Sequence, residues 1–263
     1  MKILAIGDPH GNLDDIRKIP LDADLILITG DLGKADLARK MFFENLRRKR
    51  EGLPEKEYSA NQEKMAFMQA YNSSMRLVRY LRRFAPVFSI FGNLESSNVE
   101  TRRLSKKHGI ELPFLSNSLN DLPDVRVINN RVANFQGVRI GCLEYFLDAC
   151  WAKEFRPDDK SIADRAKRQS EKARIFLKNF GRTDILVCHQ PPYGILDEVD
   201  AKFAPKEWQG KHAGSKLIRD YIEKYSPRYV FCGHNHEAEG MKKVGRTEVY
   251  NLGNCGYKSV ELS

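Results

Sequence analysis

The chain has no apolar run that approaches the roughly 20 residues needed to cross a bilayer; Ile3–Ile6 and Leu25–Ile28 are four residues each. A membrane span is therefore not expected. A secretory leader is not expected either, because Asp8 and His10 follow the first apolar run too closely and no small-residue cleavage site comes after it. Disulfide chemistry is thinly provided for. The five cysteines are an odd number, none stands in a Cys-x-x-Cys pair, and Cys188 and Cys232 each end an apolar stretch where a thiol acts as a small hydrophobe. A reducing compartment is the simplest account, and the expected location is the cytoplasm. There is no internal repeat and no low-complexity linker, so a single domain over residues 1–263 is expected.

What is present is a soluble-type composition, 41% hydrophobic and 30% charged, with a net charge of +9. The charge is uneven. Residues 34–84 hold 13 Lys or Arg against 6 Asp or Glu, which permits an acidic or phosphorylated partner, nucleic acid included, without requiring one.

Short β-branched or aliphatic runs alternate with helical periodicity. Lys2–Ile6 reads as a strand followed by a loop and a helix over Leu13–Ile19, and Leu25–Thr29 as a second strand closed by Gly30-Asp31-Leu32-Gly33. Residues 34–84 read as a helical insertion: Asp36–Arg50, a break at Gly52-Leu53-Pro54, then a long helix to about Phe84. Its Met and aromatic residues are read as packing, and Arg47–Arg50 as a solvated helix end. Pro86–Phe91 is a third strand with a helix over Ser96–His108 behind it. Val125–Ile128, Val132–Phe135 and Val138–Leu143 read as a meander opening a second sheet. A helix over Ser161–Phe180, a strand over Asp184–Cys188, a helix over Ala213–Tyr225 and a strand over Arg228–Cys232 follow. Strands over Thr247–Asn251 and Tyr257–Leu262 close the chain. Ala149–Asp159 and Tyr193–Lys211 read as loops.

Seven polar residues fall just past the ends of apolar strands: Asp8, His10, Asp31, Asn93, His189, His234 and His236. Taken singly, each has an ordinary explanation as a turn former, a cap or a hydrogen-bonded histidine. A His-x-His pair arises by chance about 0.14 times in a chain with this many histidines, so spacing alone decides little. Together they comprise two carboxylates, one amide oxygen and four imidazoles, with no thiolate. That donor set suits a pair of borderline divalent metals, Mn²⁺ in first place with Fe, Zn²⁺ or Ni²⁺ as alternatives.

The stretches Gly7-Asp8-Pro9-His10-Gly11, Gly30-Asp31, Gly92-Asn93, Cys188-His189 and Gly233-His234-Asn235-His236 resemble, in order, the five motifs of the calcineurin-like metallophosphoesterases. The resemblance implies an α/β fold of two mixed sheets packed face to face with helices outside, a four-layer αββα sandwich. It further implies that Asp8, His10 and His236 hold one metal, that Asn93, His189 and His234 hold the other, and that Asp31 bridges them. Two cations about 3.5–4 Å apart lower the pKa of a shared water toward about 7 and stabilise charge on a phosphate in in-line displacement. Asp31 and Asn93 would thus share in catalysis. One departure stands out: where many members carry a leaving-group-protonating His after the Asn, this chain has Leu94. A general acid contributes about 10²- to 10⁴-fold, most for poor leaving groups, so its absence points to a phosphodiesterase. Glu95 is read as a first-turn carboxylate of the following helix, and His108 as a surface histidine. His212, ahead of a helix N-terminus, is the remaining candidate for a catalytic contact to substrate or leaving group. A phosphomonoesterase or protein phosphatase, a nuclease, and a non-catalytic scaffold are the alternatives; a scaffold would be expected to lose ligands, and all seven are kept. Oligomeric state is not legible.

Overall fold

The structure, a computed structural model, describes residues 1–200 and 204–262. Positions 201–203, within the loop expected over Tyr193–Lys211, and position 263 lie outside the described residues.

The first half of the chain runs β1 (Lys2–Ile6), α1 (Leu13–Ile16), β2 (Leu25–Ile28), α2 (Asp36–Arg50), α3 (Ala60–Leu81), β3 (Val87–Ser89), α4 (Asn98–His108), α5 (Leu115–Asn120) and β4 (Val125–Val127). The second half runs β5 (Arg131–Phe135), β6 (Val138–Leu143), α6 (Ala149–Phe155), α7 (Lys160–Phe180), β7 (Ile185–Cys188), α8 (Lys216–Tyr225), β8 (Tyr229–Cys232), β9 (Gly240–Val244), β10 (Thr247–Asn251) and β11 (Tyr257–Glu261). Two mixed sheets result, ordered β11-β1-β2-β3-β4 and β5-β6-β7-β8-β10-β9. The strands that precede the polar motifs, β1, β2 and β3 in one sheet and β7 and β8 in the other, are parallel to one another within each sheet.

Alternation along each buried strand divides the apolar residues between layers, because successive side chains leave opposite faces of a sheet. In β1, Ile3 and Ala5 meet Ile185, Val187 and Phe231 of the second sheet, and Leu4 and Ile6 turn outward onto Val78 and Leu81 of α3. In β7, Leu186 and Cys188 pack outward against Leu177 of α7 and Ile218 of α8. The result is the expected sandwich: helices, sheet, sheet, helices.

Helix starts follow capping chemistry. Ser59 with Gln62 and Ser97 with Glu100 form capping boxes, and Ser215 caps α8, which therefore begins at Lys216, three residues later than periodicity suggested. Gly109 ends α4 in the left-handed conformation, φ 63°.

Three expectations are corrected. Val125–Val127 does not open the second sheet: β4 lies parallel to β3, with Val87 opposite Val125, and completes the first. The physical reason is α5, a short helix not anticipated, which with α4 supplies the crossover that parallel pairing requires. The second sheet starts instead with the β5–β6 hairpin. Ala149–Phe155, expected as loop, is helical, with the Asp148 carboxylate capping Cys150 N–H. The edge strand β9 was not anticipated because Gly240-Met241-Lys242-Lys243-Val244 is mostly exposed and shows no apolar alternation; lysines on an edge discourage further pairing.

Candidate metal centre

Parallel strands carry their C-terminal ends to one side of a sheet, so the loops after β1, β2, β3, β7 and β8 meet there. Their convergence demands close backbone approach. A Cβ on Gly92 would run into the Asp31 carboxylate and the His189 ring, and one on Gly233 into the Asp8 carboxylate. Glycine is required at both positions for that reason. Three of the polar residues themselves sit in the left-handed region, His10 at φ 44°, Asp31 at 45° and His234 at 69°. Such conformations cost free energy in a non-glycine residue, and they persist where surrounding contacts fix them.

Six of the seven candidates form two close sets, and Asp31 lies beside both. In the first set His10 Nε2 lies 3.3 Å from His236 Nε2, and His236 Nε2 lies 3.2 Å from Asp8 Oδ2. In the second, Asn93 Oδ1 is 2.9 Å from both His189 Nε2 and His234 Nδ1, which are 3.2 Å apart. Asp31 Oδ2 is 4.0 Å from His10 Nε2, and its Oδ1 is 3.7 Å from His189 Nε2. Two trios, Asp8-His10-His236 and Asp8-Asp31-His189, present ligand atoms close enough to share one ion. Donor atoms about 2.1 Å from a common cation at near-right angles stand about 3 Å apart, the spacing seen in both sets.

Proton bookkeeping favours a cation over hydrogen bonds. His189 Nδ1 lies 3.0 Å from the carbonyl oxygen of Thr29, which can only accept, so Nδ1 carries the ring proton and Nε2 presents a lone pair toward Asn93 Oδ1. Burial holds the His10 imidazole down to about 4 and the His234 imidazole down to about 3. Both rings are therefore neutral at neutral pH, with lone pairs available. Burial also raises Asp31, and the neighbouring charge of Asp8 raises it further. For Asp8 burial acts upward too, but His189, His236 and the amide of His234 outweigh it and hold it ionised. Buried carboxylates beside neutral imidazoles, with no lysine or arginine bonded to either carboxylate among the described residues, are a ready cation site.

Several supporting groups were not anticipated. Thr29 Oγ1 donates to Asp8 Oδ1 at 2.8 Å, and its carbonyl orients His189. A threonine at the end of an otherwise aliphatic strand was the signal. Glu95 is not a helix-turn carboxylate. Its oxygens accept from the backbone N–H groups of Asp31 at 3.1 Å, Leu32 at 2.7 Å and Gly92 at 2.8 Å, tying the second and third loops together. Burial, then the charge of Asp31, raises it to about 7.

The sequence profile of the calcineurin-like phosphoesterases matches residues 1–238, which span every one of these loops. The chain belongs to that family. Among curated relatives, an uncharacterized protein of Methanocaldococcus jannaschii, MJ1162, is 41% identical over 78 residues, 28% of this chain and 31% of that protein. A UPF0046 protein of Caenorhabditis elegans is 32% identical over 73 residues, 28% of this chain and 22% of its own length. The chain thus spans less than a third of the curated relatives it matches. A solved crystal structure aligns over 98% of this chain and 94% of its own with a TM-score of 0.64 at 17% identity. The phosphopantetheinyl hydrolase PptH of Mycobacterium tuberculosis aligns over 96% of this chain and 88% of its own, TM-score 0.50, at 16% identity. These structural likenesses establish the fold.

Around this calcineurin-like centre lie two cavities. One, of about 1050 Å³, opens between α2, α3 and α4 and reaches His234 and His236; the other, of about 480 Å³, lies toward Tyr145 and α7. Asn93 and Glu95 line both. His212 lines neither. Its Nδ1 lies 2.8 Å from Asp197 Oδ1, and the Asp197 carbonyl in turn accepts from Asn235 Nδ2 of the metal-site loop. The Gly214 and Ser215 amides ahead of α8 are bonded within the protein, to Asp197 Oδ2 and the Pro191 carbonyl. His108 is not a surface residue: its ring is mostly covered, with Nε2 3.2 Å from Glu63 Oε2. The run Arg47–Arg50 does form the last turn of α2, where cations complement the helix dipole, and Arg47 pairs with Glu44 and Glu51. Among the described residues no helix is long and apolar enough to cross a membrane.

Proposed function

We propose that this phosphoesterase hydrolyses phosphodiesters, with two divalent cations held by Asp8, His10 and His236 on one side, by Asn93, His189 and His234 on the other, and by Asp31 between them. Mn²⁺ is the first choice for a set of nitrogen and oxygen donors without sulfur. When bound, such a pair supplies a hydroxide nucleophile at neutral pH and positive charge for the phosphate oxygens. The protein's own part is positioning. Thr29 sets the tautomer of His189, the His234 amide donates to Asp8, and the Leu94 amide donates to Asp31 Oδ1 at 3.0 Å.

The observation that carries the diester preference is the place of Asn93 at the junction of the two cavities, which leaves room for a substituent on either side of a phosphorus atom held there. Leu94 agrees with it. The residue following Asn93 brings no proton donor, and a diester with a good leaving group has least need of one. His212 is left outside the proposed reacting groups because it lines neither cavity beside Asn93. The five cysteines, all free, fit a reducing cytoplasm, and the chain is read as one domain with α2 and α3 as its insertion.

The test is a panel of aryl mono-, di- and cyclic phosphates assayed with each candidate divalent ion on chelator-stripped protein. The expected result is metal-dependent turnover that is fastest on diesters. Faster turnover of the matched monoester would refute the diester preference, and turnover without any metal would refute the proposed chemistry.

A further inference from the structure

Resting on that diesterase reading, we propose that the cavity between α2, α3 and α4 receives an alkyl or acyl arm of the substrate, and that Arg39 binds the phosphate at its inner end. The substrate class is then a phosphodiester with one long apolar substituent.

The first support is chemical. A cavity of about 1050 Å³ is far larger than a phosphate requires, and its walls include Ala38, Met41, Phe42, Phe67 and Leu104. Most of its polar side chains are already committed. Tyr71 donates its hydroxyl to Ser118 at 2.9 Å, and Ser74 donates to the Ala70 carbonyl at 2.8 Å. Glu63 accepts from Lys107 at 2.9 Å, and Glu95 is bound by three backbone amides. Ser96 and Glu237 remain; Ser96 follows Glu95 in the Asn93 loop and Glu237 follows His236, so both belong to the loops of the candidate metal centre, where the phosphate would sit. A base or sugar placed here would find few groups to read it, and a pocket built to recognise polar ligands has to supply such groups.

The second support is exposed apolar surface where a ligand would cover it. Phe42 and Phe43 line the cavity from α2 and are 63% and 49% exposed, on a helix with no buried residue. Large apolar side chains left in water beside a reacting centre mark a binding surface more often than a folding one.

The third is charge. Arg39 lines the same cavity, and its guanidinium makes no hydrogen bond or ion pair among the described residues, yet its charge is felt at His10 and Asp31. A guanidinium left free beside a phosphoryl site matches the bidentate geometry of phosphate oxygens.

The test compares p-nitrophenyl ethyl phosphate with p-nitrophenyl octyl phosphate, both below micelle-forming concentrations, with Mn²⁺ present. Thymidine 5′-p-nitrophenyl phosphate serves as the nucleoside control. The expected kcat/KM of the octyl ester exceeds that of the ethyl ester by about 30-fold or more, since each buried methylene adds to binding. Ala38→Trp, a replacement at an exposed position of α2 that fills the cavity mouth, should collapse the octyl-to-ethyl ratio toward one. Arg39→Gln should weaken both esters by about the same factor and leave the ratio in place. Binding of octyl methyl phosphate is measured separately by calorimetry on metal-loaded protein. Equal treatment of ethyl and octyl arms, or preference for the nucleoside, overturns the apolar-arm proposal while turnover itself upholds the diesterase reading. If no diester is turned over, that reading fails, and the calorimetric affinity for octyl methyl phosphate against its ethyl counterpart still decides the cavity's ligand.

Discussion

The loops at the strand ends and the helix α2 are built to opposite specifications. Asp8, Asp31 and His189 are buried, each oriented by at least one bond from a neighbouring loop, and the glycines between them leave no room for another carbon. Helix α2 has no buried residue; among its ties to the rest are the Leu37 amide to Gln69 Oε1 at 3.0 Å and the Tyr58 hydroxyl to the Met41 carbonyl at 3.1 Å. The reacting centre therefore draws its precision from the same core that stabilises the fold. The surface proposed to face the organic part of a substrate rests on an element that contributes little to that core. Chemistry and specificity should accordingly fail separately under mutation.

The largest effect is expected at Asp31. Losing a group that merely orients a metal ligand typically costs 10- to 100-fold. A carboxylate shared by both halves of the centre should cost more than about 100-fold in turnover on replacement by alanine, with both metals lost. Elemental analysis alongside kinetics checks this; an Asp31→Ala protein with two metals and ordinary turnover would undo the assignment.

Next in size is a pH effect on metal affinity. Asp31 is raised, by burial first and the Asp8 charge second, to about 8 in the metal-free protein. Below that value the Asp31 carboxyl carries a proton that a cation must displace, because metal ligands bind deprotonated. Affinity should thus rise about tenfold per pH unit toward 8 and level off above it, with a proton released on binding. Calorimetry in buffers of different ionisation enthalpy measures that proton directly. A flat affinity between pH 6 and 8 would remove Asp31 from the ligand set.

A smaller change is expected from Leu94→His, which restores the side chain that many family members carry. It should raise monoesterase relative to diesterase activity on a matched aryl pair. The gain should fall below the roughly 100-fold lower bound of a well-placed general acid. The reason is Glu95: the carboxylate beside the new imidazole is already bound by the amides of Asp31, Leu32 and Gly92, so nothing would orient the ring. An unchanged ratio would mean that Leu94 has no bearing on the diester preference.

The convergence of the seven candidate residues was legible in the sequence because each follows an apolar strand, in all but His189 with a glycine at the turn, and that local pattern survives folding intact. Glu95 was misread for the opposite reason. Its partners Asp31 and Leu32 lie more than 60 positions away, and a glutamate one residue before Ser96 looks like any first-turn carboxylate. His108 likewise reads as a surface residue in the sequence because Glu63, 3.2 Å from its Nε2, belongs to a different helix. Strand β4 was assigned to the wrong sheet because β-branched composition predicts a strand but says nothing of its partner; the turn at Asn130, φ 59°, is where the chain actually leaves the first sheet. Arg39 and the two exposed phenylalanines carry no distinguishing pattern in the sequence, because α2 and α3 both read as packing helices while in the structure α3 enters the core and α2 has no buried residue.

That last division supplies the finest comparison, since α2 and the C-terminal half of α3 belong to consecutive helices and differ in what they touch. Leu77 is buried against the first sheet, so Leu77→Ala should cost about 2–5 kcal/mol, the usual range for a leucine deleted from a packed interior. Phe42 is 63% exposed, and Phe42→Ala should move stability by no more than about 0.5 kcal/mol in either direction, as surface changes generally do. Urea denaturation of both variants, with the slope of the transition held as a control on two-state behaviour, separates the two. Equal losses would show that α2 is part of the folding core and that its phenylalanines are held there for stability; unequal losses would leave ligand contact as the reason for two adjacent aromatic rings standing in water beside the metal centre.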